Sequence, residues 1–187
     1  MLIAIKDNGT VYLAQSISDG MDDTDKFDLI LDDNIPFWKV LGNKHCYAAC
    51  RSALFGANVL RYEPGLFKGV NNAMDILTKT IPNMRSLLEG CKLIDKDKCW
   101  NNALIIVKED KIYHIDPFFI LTEIDDLIVS GRGRDFIAGG LEWEKDVPIE
   151  ERIRKVIHSY DELRSEFYFP IVLHNCSTGR KKILWDF

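Results

Sequence analysis

The sequence has no apolar run approaching the 18 or more residues of a membrane span. Its start, Met1-Leu2-Ile3-Ala4-Ile5-Lys6-Asp7-Asn8, lacks the basic segment, apolar segment and cleavage site of a secretory signal. Both absences point to the cytoplasm and to no membrane partner. Positive charge is scarce as well. The 24 Lys and Arg residues are outnumbered by 29 Asp and Glu, for a formal charge of −5. That balance argues against a nucleic-acid partner, because a phosphate-backbone binder carries a basic face. Cysteine is present without a disulfide pattern: Cys46, Cys50, Cys91, Cys99 and Cys176 are an odd number at uneven spacing. Without an export signal they read as free thiols, which pack as small hydrophobes. His45 adjoins Cys46 and Cys50, but a zinc site needs a second ligand pair, and Cys91 with Cys99 has awkward spacing for one. No metal and no cofactor are expected.

What is present suits a soluble globular protein. Apolar residues make up 47% and charged residues 28% of the 187, and a chain of that length fits a single domain, 1–187. Roughly 70% of the unfolded surface should be buried at this size, so no disulfide or metal staple is required.

The clearest local signal comes first. Leu2 to Ile5 and Val11 to Ala14 read as strands joined through Lys6-Asp7-Asn8-Gly9, and Asn-Gly supplies the two positive-φ residues of a type I′ hairpin turn. The stretch from Ser16 to Asp33 holds seven aspartates. A calcium loop started at Asp23 would put Asp28 where glycine belongs and Asn34 where glutamate belongs, so the pattern fails. It reads as a solvated loop around a short strand, Asp28 to Leu31. Strands are expected over Pro36 to Leu41 and His45 to Cys50. A helix capped by Ser52 should run to about Tyr62, stopped by Pro64-Gly65. A second covers about Val70 to Glu89, with Ala73, Leu77, Ile81, Met84 and Leu88 on one face. Pro82 should kink or split it, and Gly90 ends it.

Strands return at Ala103 to Val107 and Ile112 to Ile115, a hairpin around Lys108-Glu109-Asp110-Lys111. Phe118 to Leu121 and Leu127 to Val129 are short apolar runs. Ser130-Gly131-Arg132-Gly133 then leads into a helix from Asp135 to Trp143. Asp146 and Pro148 open another, with Ile149, Ile153, Val156, Ile157, Tyr160 and Leu163 on one stripe. Its outer face pairs Glu150 with Arg154 and Glu151 with Lys155 at i,i+4. The chain closes with strand Pro170 to Asn175, turn Ser177-Thr178-Gly179 and strand Lys181 to Trp185. Strands grouped in hairpins between pairs of helices imply an α+β fold with antiparallel sheets.

This element order resembles that of the proteasome β subunit and of the related peptidase of the bacterial two-component ATP-dependent protease, both N-terminal nucleophile hydrolases. The resemblance is carried by the opening hairpin Leu2 to Ala14, by Cys46-Tyr47-Ala48-Ala49-Cys50, and by Ile124 to Gly133 followed by Phe136 and Gly139-Gly140-Leu141-Glu142. It implies a four-layer αββα sandwich of two antiparallel sheets. It also implies peptide-bond hydrolysis by a Thr, Ser or Cys heading the mature chain, whose own α-amino group takes the proton.

Aligning the Asn-Gly turns puts that nucleophile just before Met1. Met1 and Leu2 carry no nucleophilic hydroxyl or thiolate, and a bulky second residue disfavours removal of Met1. The resemblance maps the family's supporting residues onto Ser16 (an aspartate in the family, with Asp19 three residues on), Lys39, Arg132 (a serine between glycines in the family, with Ser130 two residues away) and Asp161. The reading that follows is a non-catalytic structural or binding subunit. The alternative is an N-terminal nucleophile peptidase or amidohydrolase with a different mature N-terminus. The family assembles into stacked six- or seven-membered rings that work with an unfoldase, so a homo-oligomer (ring or dimer) and a protein partner are expected, with contacts near Trp143 and Phe167.

Two other constellations carry chemistry. Among the four histidines (His45, His114, His158, His174), His174 lies two residues from Cys176, on one face of a strand. A Cys-His dyad there would still need an orienting group and an oxyanion hole. Gly131-Arg132-Gly133-Arg134, opening a helix, could attract an anion through backbone N–H groups and two arginines, though it lacks the full glycine fingerprint of a phosphate loop. The aromatic segment Glu166 to Pro170 reads as core and interface.

Overall fold

A computed structural model describes residues 1–16, 37–40, 43, 45–51, 57–63, 65–164 and 169–185. The acidic segment from Asp19 to Asp33, the Ser52 cap and Phe167 lie outside these. The strands are β1 Leu2–Asp7, β2 Thr10–Ser16, β3 Phe37–Lys39, β4 Cys46–Cys50, β5 Leu104–Lys108, β6 Lys111–Ile115, β7 Leu121–Ile124, β8 Leu127–Ser130, β9 Ile171–Asn175 and β10 Lys181–Leu184. The helices are α1 Ala57–Arg61, α2 Ala73–Asp75, α3 Ile81–Gly90, α4 Arg134–Trp143 and α5 Ile149–Arg164, with a π-helical stretch, Ile76–Thr80, between α2 and α3. None is long and apolar enough to cross a membrane. The chain forms two compact units: Met1–Ile35 with Asp126–Phe187, and Pro36–Asp125.

The first unit is built on an antiparallel sheet in the order β10-β9-β2-β1-β8. Its hairpin turn has φ of 48° at Asn8 and 76° at Gly9, the two left-handed positions that a type I′ turn requires. Alternation then sends Met1, Ile3 and Ile5 to one face, into a core shared with Ile137 and Leu141 of α4 and with Ile153, Val156, Ile157 and Tyr160 of α5. Leu163, expected on that stripe, is exposed; the stripe ends one turn earlier, at Tyr160. The outer face of α5 also differs from expectation. Glu150 pairs with Lys182 of β10, and Lys155 reaches Glu144 at 3.5 Å, because partners on neighbouring elements are better placed than those one turn away.

One arginine sits on the buried stripe. Arg152 is 4% exposed and holds Asp7 at 2.6 Å, while its guanidinium also donates to the carbonyls of Lys145 and Val147. This pins the hairpin turn to the start of α5.

The second unit carries the sheet β3-β4-β5-β6-β7, antiparallel throughout. Its core joins Cys46, Ala48, Cys50, Leu104, Ile106 and Tyr113 to Leu60, Ile76, Met84, Leu88 and Trp100. The long helix expected over 70–89 is where sequence periodicity misleads. Pro82 has no N–H and falls in the first turn of α3, a position that tolerates it. The preceding turn widens so that the Ile81 N–H bonds the carbonyl of Ile76, five residues back. The extra residue slips the helical phase, burying Ile76 and leaving Leu77 50% exposed. The helix ends at Gly90 as expected, but Lys92, at φ 59°, supplies the left-handed residue. The Phe118 to Leu121 run is mostly turn. Asp116 accepts from the N–H groups of Phe118 and Ile120, and both of those side chains are exposed.

Candidate functional site

The head of β1 is where the first unit gathers most of the residues singled out above. Met1 is fully buried, and its carbonyl accepts the N–H of Ser16 at 3.3 Å. Antiparallel pairing of β1 with β8 sets Ser130 across from Leu2, which brings Gly131 onto Met1. A methyl group at Gly131, whose φ is 125°, would stand 3.2 Å from Met1 Cα. Ser16, Ser130 and Gly131 therefore surround one residue, Met1. Ser16 is buried at the end of β2, paired in register with Ile171.

Just beyond, Gly133 occupies the N-cap of α4 at φ 69°. A methyl there would lie 2.3 Å from Cζ of Tyr160. Glycine is thus required twice, by backbone angle and by the ring that fills the space of a side chain. Arg132 between the two glycines is exposed, and Asp161, partly buried, follows Tyr160 on α5. Lys39 lies in the second unit, exposed on the edge strand β3.

Beside this corner is a cavity of about 480 Å³ lined by Gly131, Gly133, Arg134, Asp135, Phe136, Tyr160 and Arg164. The Phe136 and Tyr160 rings are 5.6 Å apart. Sequence reasoning had placed Tyr160 only in the core stripe and had not singled out Arg164; the repeated glycines were the signal that something bulky approaches the turn.

His174 and Cys176 are both buried, His174 within β9 and Cys176 just past its end. Burial, with the Lys181 charge opposite, pulls the His174 pKa down to about 4, so the imidazole is neutral near pH 7. Neither side chain is open to a substrate. Burial also pushes the Cys46 thiol up to about 11 and raises Cys50 further, the direction opposite to that of a reactive thiolate. Among the described residues no three His, Cys, Asp or Glu side chains converge as a metal site would need.

No protein-family model and no curated protein matches the sequence. Solved structures do match. Thiobacillus denitrificans BPH in complex with epoxomicin superposes with a TM-score of 0.69 at 13% identity, covering 98% of both chains. Anbu (ancestral beta-subunit) from Yersinia bercovieri gives 0.62 at 13% identity, over 98% of this chain and 86% of that one. Eukaryotic HslV from Trypanosoma brucei gives 0.59 at 11% identity, over 93% and 97%. The chain therefore has the proteasome-like fold of the N-terminal nucleophile hydrolases. Its class is α+β, with two antiparallel five-stranded sheets and helices.

Proposed function

We propose that this chain is a non-catalytic member of the proteasome-like fold, a structural or binding subunit, with 1–187 acting as one domain. The observation that carries this reading is the environment of Met1. The position at the head of β1 is filled by a thioether side chain in the apolar core, with its carbonyl tied to Ser16 and Gly131 closed over its backbone. A hydrolase of this type needs a hydroxyl or thiolate and a free amine together at one exposed atom pair. Arg132 adds support, since the residue that the resemblance matches to the family's serine is an exposed arginine. The protein works in the cytoplasm as a homo-oligomer, ring or dimer, with the 87%-exposed Trp143 of α4 as a contact residue, and it serves a protein partner without a cofactor.

Intact-mass spectrometry before and after incubation with a β-lactone electrophile tests the assignment. The expected result is a chain whose mass is unchanged by the incubation and that carries no adduct. A shortened chain with one adduct at its new terminus would establish the alternative, an N-terminal nucleophile peptidase or amidohydrolase. An adduct on an unshortened chain would also overturn the proposal, pointing to an internal thiol or hydroxyl. Light scattering at micromolar concentration tests assembly, and a monomer would remove that part of the reading.

A further inference from the structure

We infer that the cavity between the first turn of α4 and the last turn of α5 binds a small carboxylate with a flat apolar body, the chemistry of an aromatic acid or of a peptide ending in an aromatic residue. Three features of the cavity point the same way. Its volume, about 480 Å³, lies in the range of small-molecule sites. Its cationic groups are Arg134 and Arg164, which approach from different helices. Arg164 has no acidic partner among the described residues, and Arg134 has only the neighbouring Asp135, at 3.3 Å and itself 93% exposed. Planar guanidinium forks match a carboxylate in two-point fashion. Its wall is aromatic: the Phe136 and Tyr160 rings form a tilted pair, with Phe136 43% exposed.

The opening N–H groups of the ten-residue α4 lack a side-chain cap, so they add partial positive charge at the same end. A bare phosphate would use the arginines and leave the rings unused. A neutral aromatic would use the rings and leave the arginines unmatched. The combination selects a ligand with both parts. This site is independent of any nucleophile at the head of β1, so its test and the β-lactone test fail separately.

Isothermal titration of the full chain with N-acetyl-L-phenylalanine, with its amide and with inorganic phosphate tests the inference. Saturable binding of the acid is expected, with the amide and phosphate each at least tenfold weaker. Arg164→Gln and Phe136→Ala, both at exposed positions, should each weaken the acid at least fivefold, with circular dichroism confirming that each variant keeps its fold. Asp135→Asn, which removes the negative charge among the described lining residues, should tighten it about threefold. Equal binding of acid and amide, phosphate binding as strong as the acid's, unchanged affinity in Arg164→Gln, or no saturation up to millimolar acid would each overturn it. Where the acid binds, the tripeptide Ala-Ala-Phe separates the two sources: tighter binding than N-acetyl-L-phenylalanine assigns the site to peptide ends, weaker binding to free aromatic acids.

Discussion

Arg152 and His174 show how a buried ionisable side chain is made tolerable in two different ways. Arg152 keeps its charge and is surrounded by acceptors, the Asp7 carboxylate and two backbone carbonyls. Removing it would strand Asp7, which is itself largely buried. Arg152→Ala should therefore cost about 3–5 kcal/mol in urea denaturation, the usual effect of breaking one side of a buried pair. His174 instead gives up its charge. Its native pKa, about 4, lies below the unfolded value near 6.5. Between those values the unfolded chain binds the proton more readily. Stability is thus complete above pH 6.5 and falls as pH drops toward 4, by up to about 3 kcal/mol if no other group compensates. His114 is shifted in the same direction by burial, so the comparison that isolates His174 is the wild-type stability slope against that of His174→Gln, which should be flatter. Gly133 carries a third prediction at this scale. Gly133→Ala drives a methyl into the Tyr160 ring and holds alanine at positive φ, and should lower stability by about 2–4 kcal/mol in thermal or urea melts.

Among the elements, those set by local chemistry were readable and those set by distant contacts were not. The Asn8-Gly9 hairpin declared itself because only a few residues accept two successive left-handed positions. Helix α5 did so through its apolar period, yet Arg152 went unnoticed because a charged residue on an apolar stripe looks like an interruption until its partner on β1 is known. The π turn is the sharper case. Counting in steps of three and four put Leu77 inside, whereas accommodation of Pro82 rotates the chain and puts Ile76 there. Ile76→Ala should cost about 2–4 kcal/mol, and Leu77→Ala should stay within about 0.5 kcal/mol of wild type, both measured by urea denaturation. The opposite order would show that the helix keeps a regular α phase. The candidate site divides along the same line. The glycine-flanked turn could be found in the sequence; the cavity could not, since Phe136 and Tyr160 meet only once α4 and α5 have packed.

At the scale of the molecule, the fold is legible to structural comparison although identity to the matched chains is only 11–13%. In this chain the first hairpin lies in mid-sheet, flanked by β8 on one side and β9 on the other. The five thiols give a global check on this packing. Cys46, Cys50 and Cys176 are buried, Cys91 is exposed and Cys99 is intermediate. Burial first, and then Asp95, Asp116 and Asp97, raise the Cys99 pKa. A thiol-reactive dye should modify Cys91 quickly and Cys99 more slowly, with the other three reacting only after denaturant is added. Fast reaction of more than two thiols in the native protein would contradict the packing described.

The route taken by β1 has a bearing on how the protein is made. Leu2 to Ile5 pair with β8, and β2 pairs with β9, so the first hairpin must wait for strands far later in the sequence before its sheet is complete. The unit from Pro36 to Asp125 is contiguous and meets no such delay. Because loop closure is slow to be rewarded in long-range pairing, nascent chains halted after Asp125 should already protect the second sheet from protease, while the first hairpin, with its row of apolar side chains, still depends on whatever shields it during synthesis.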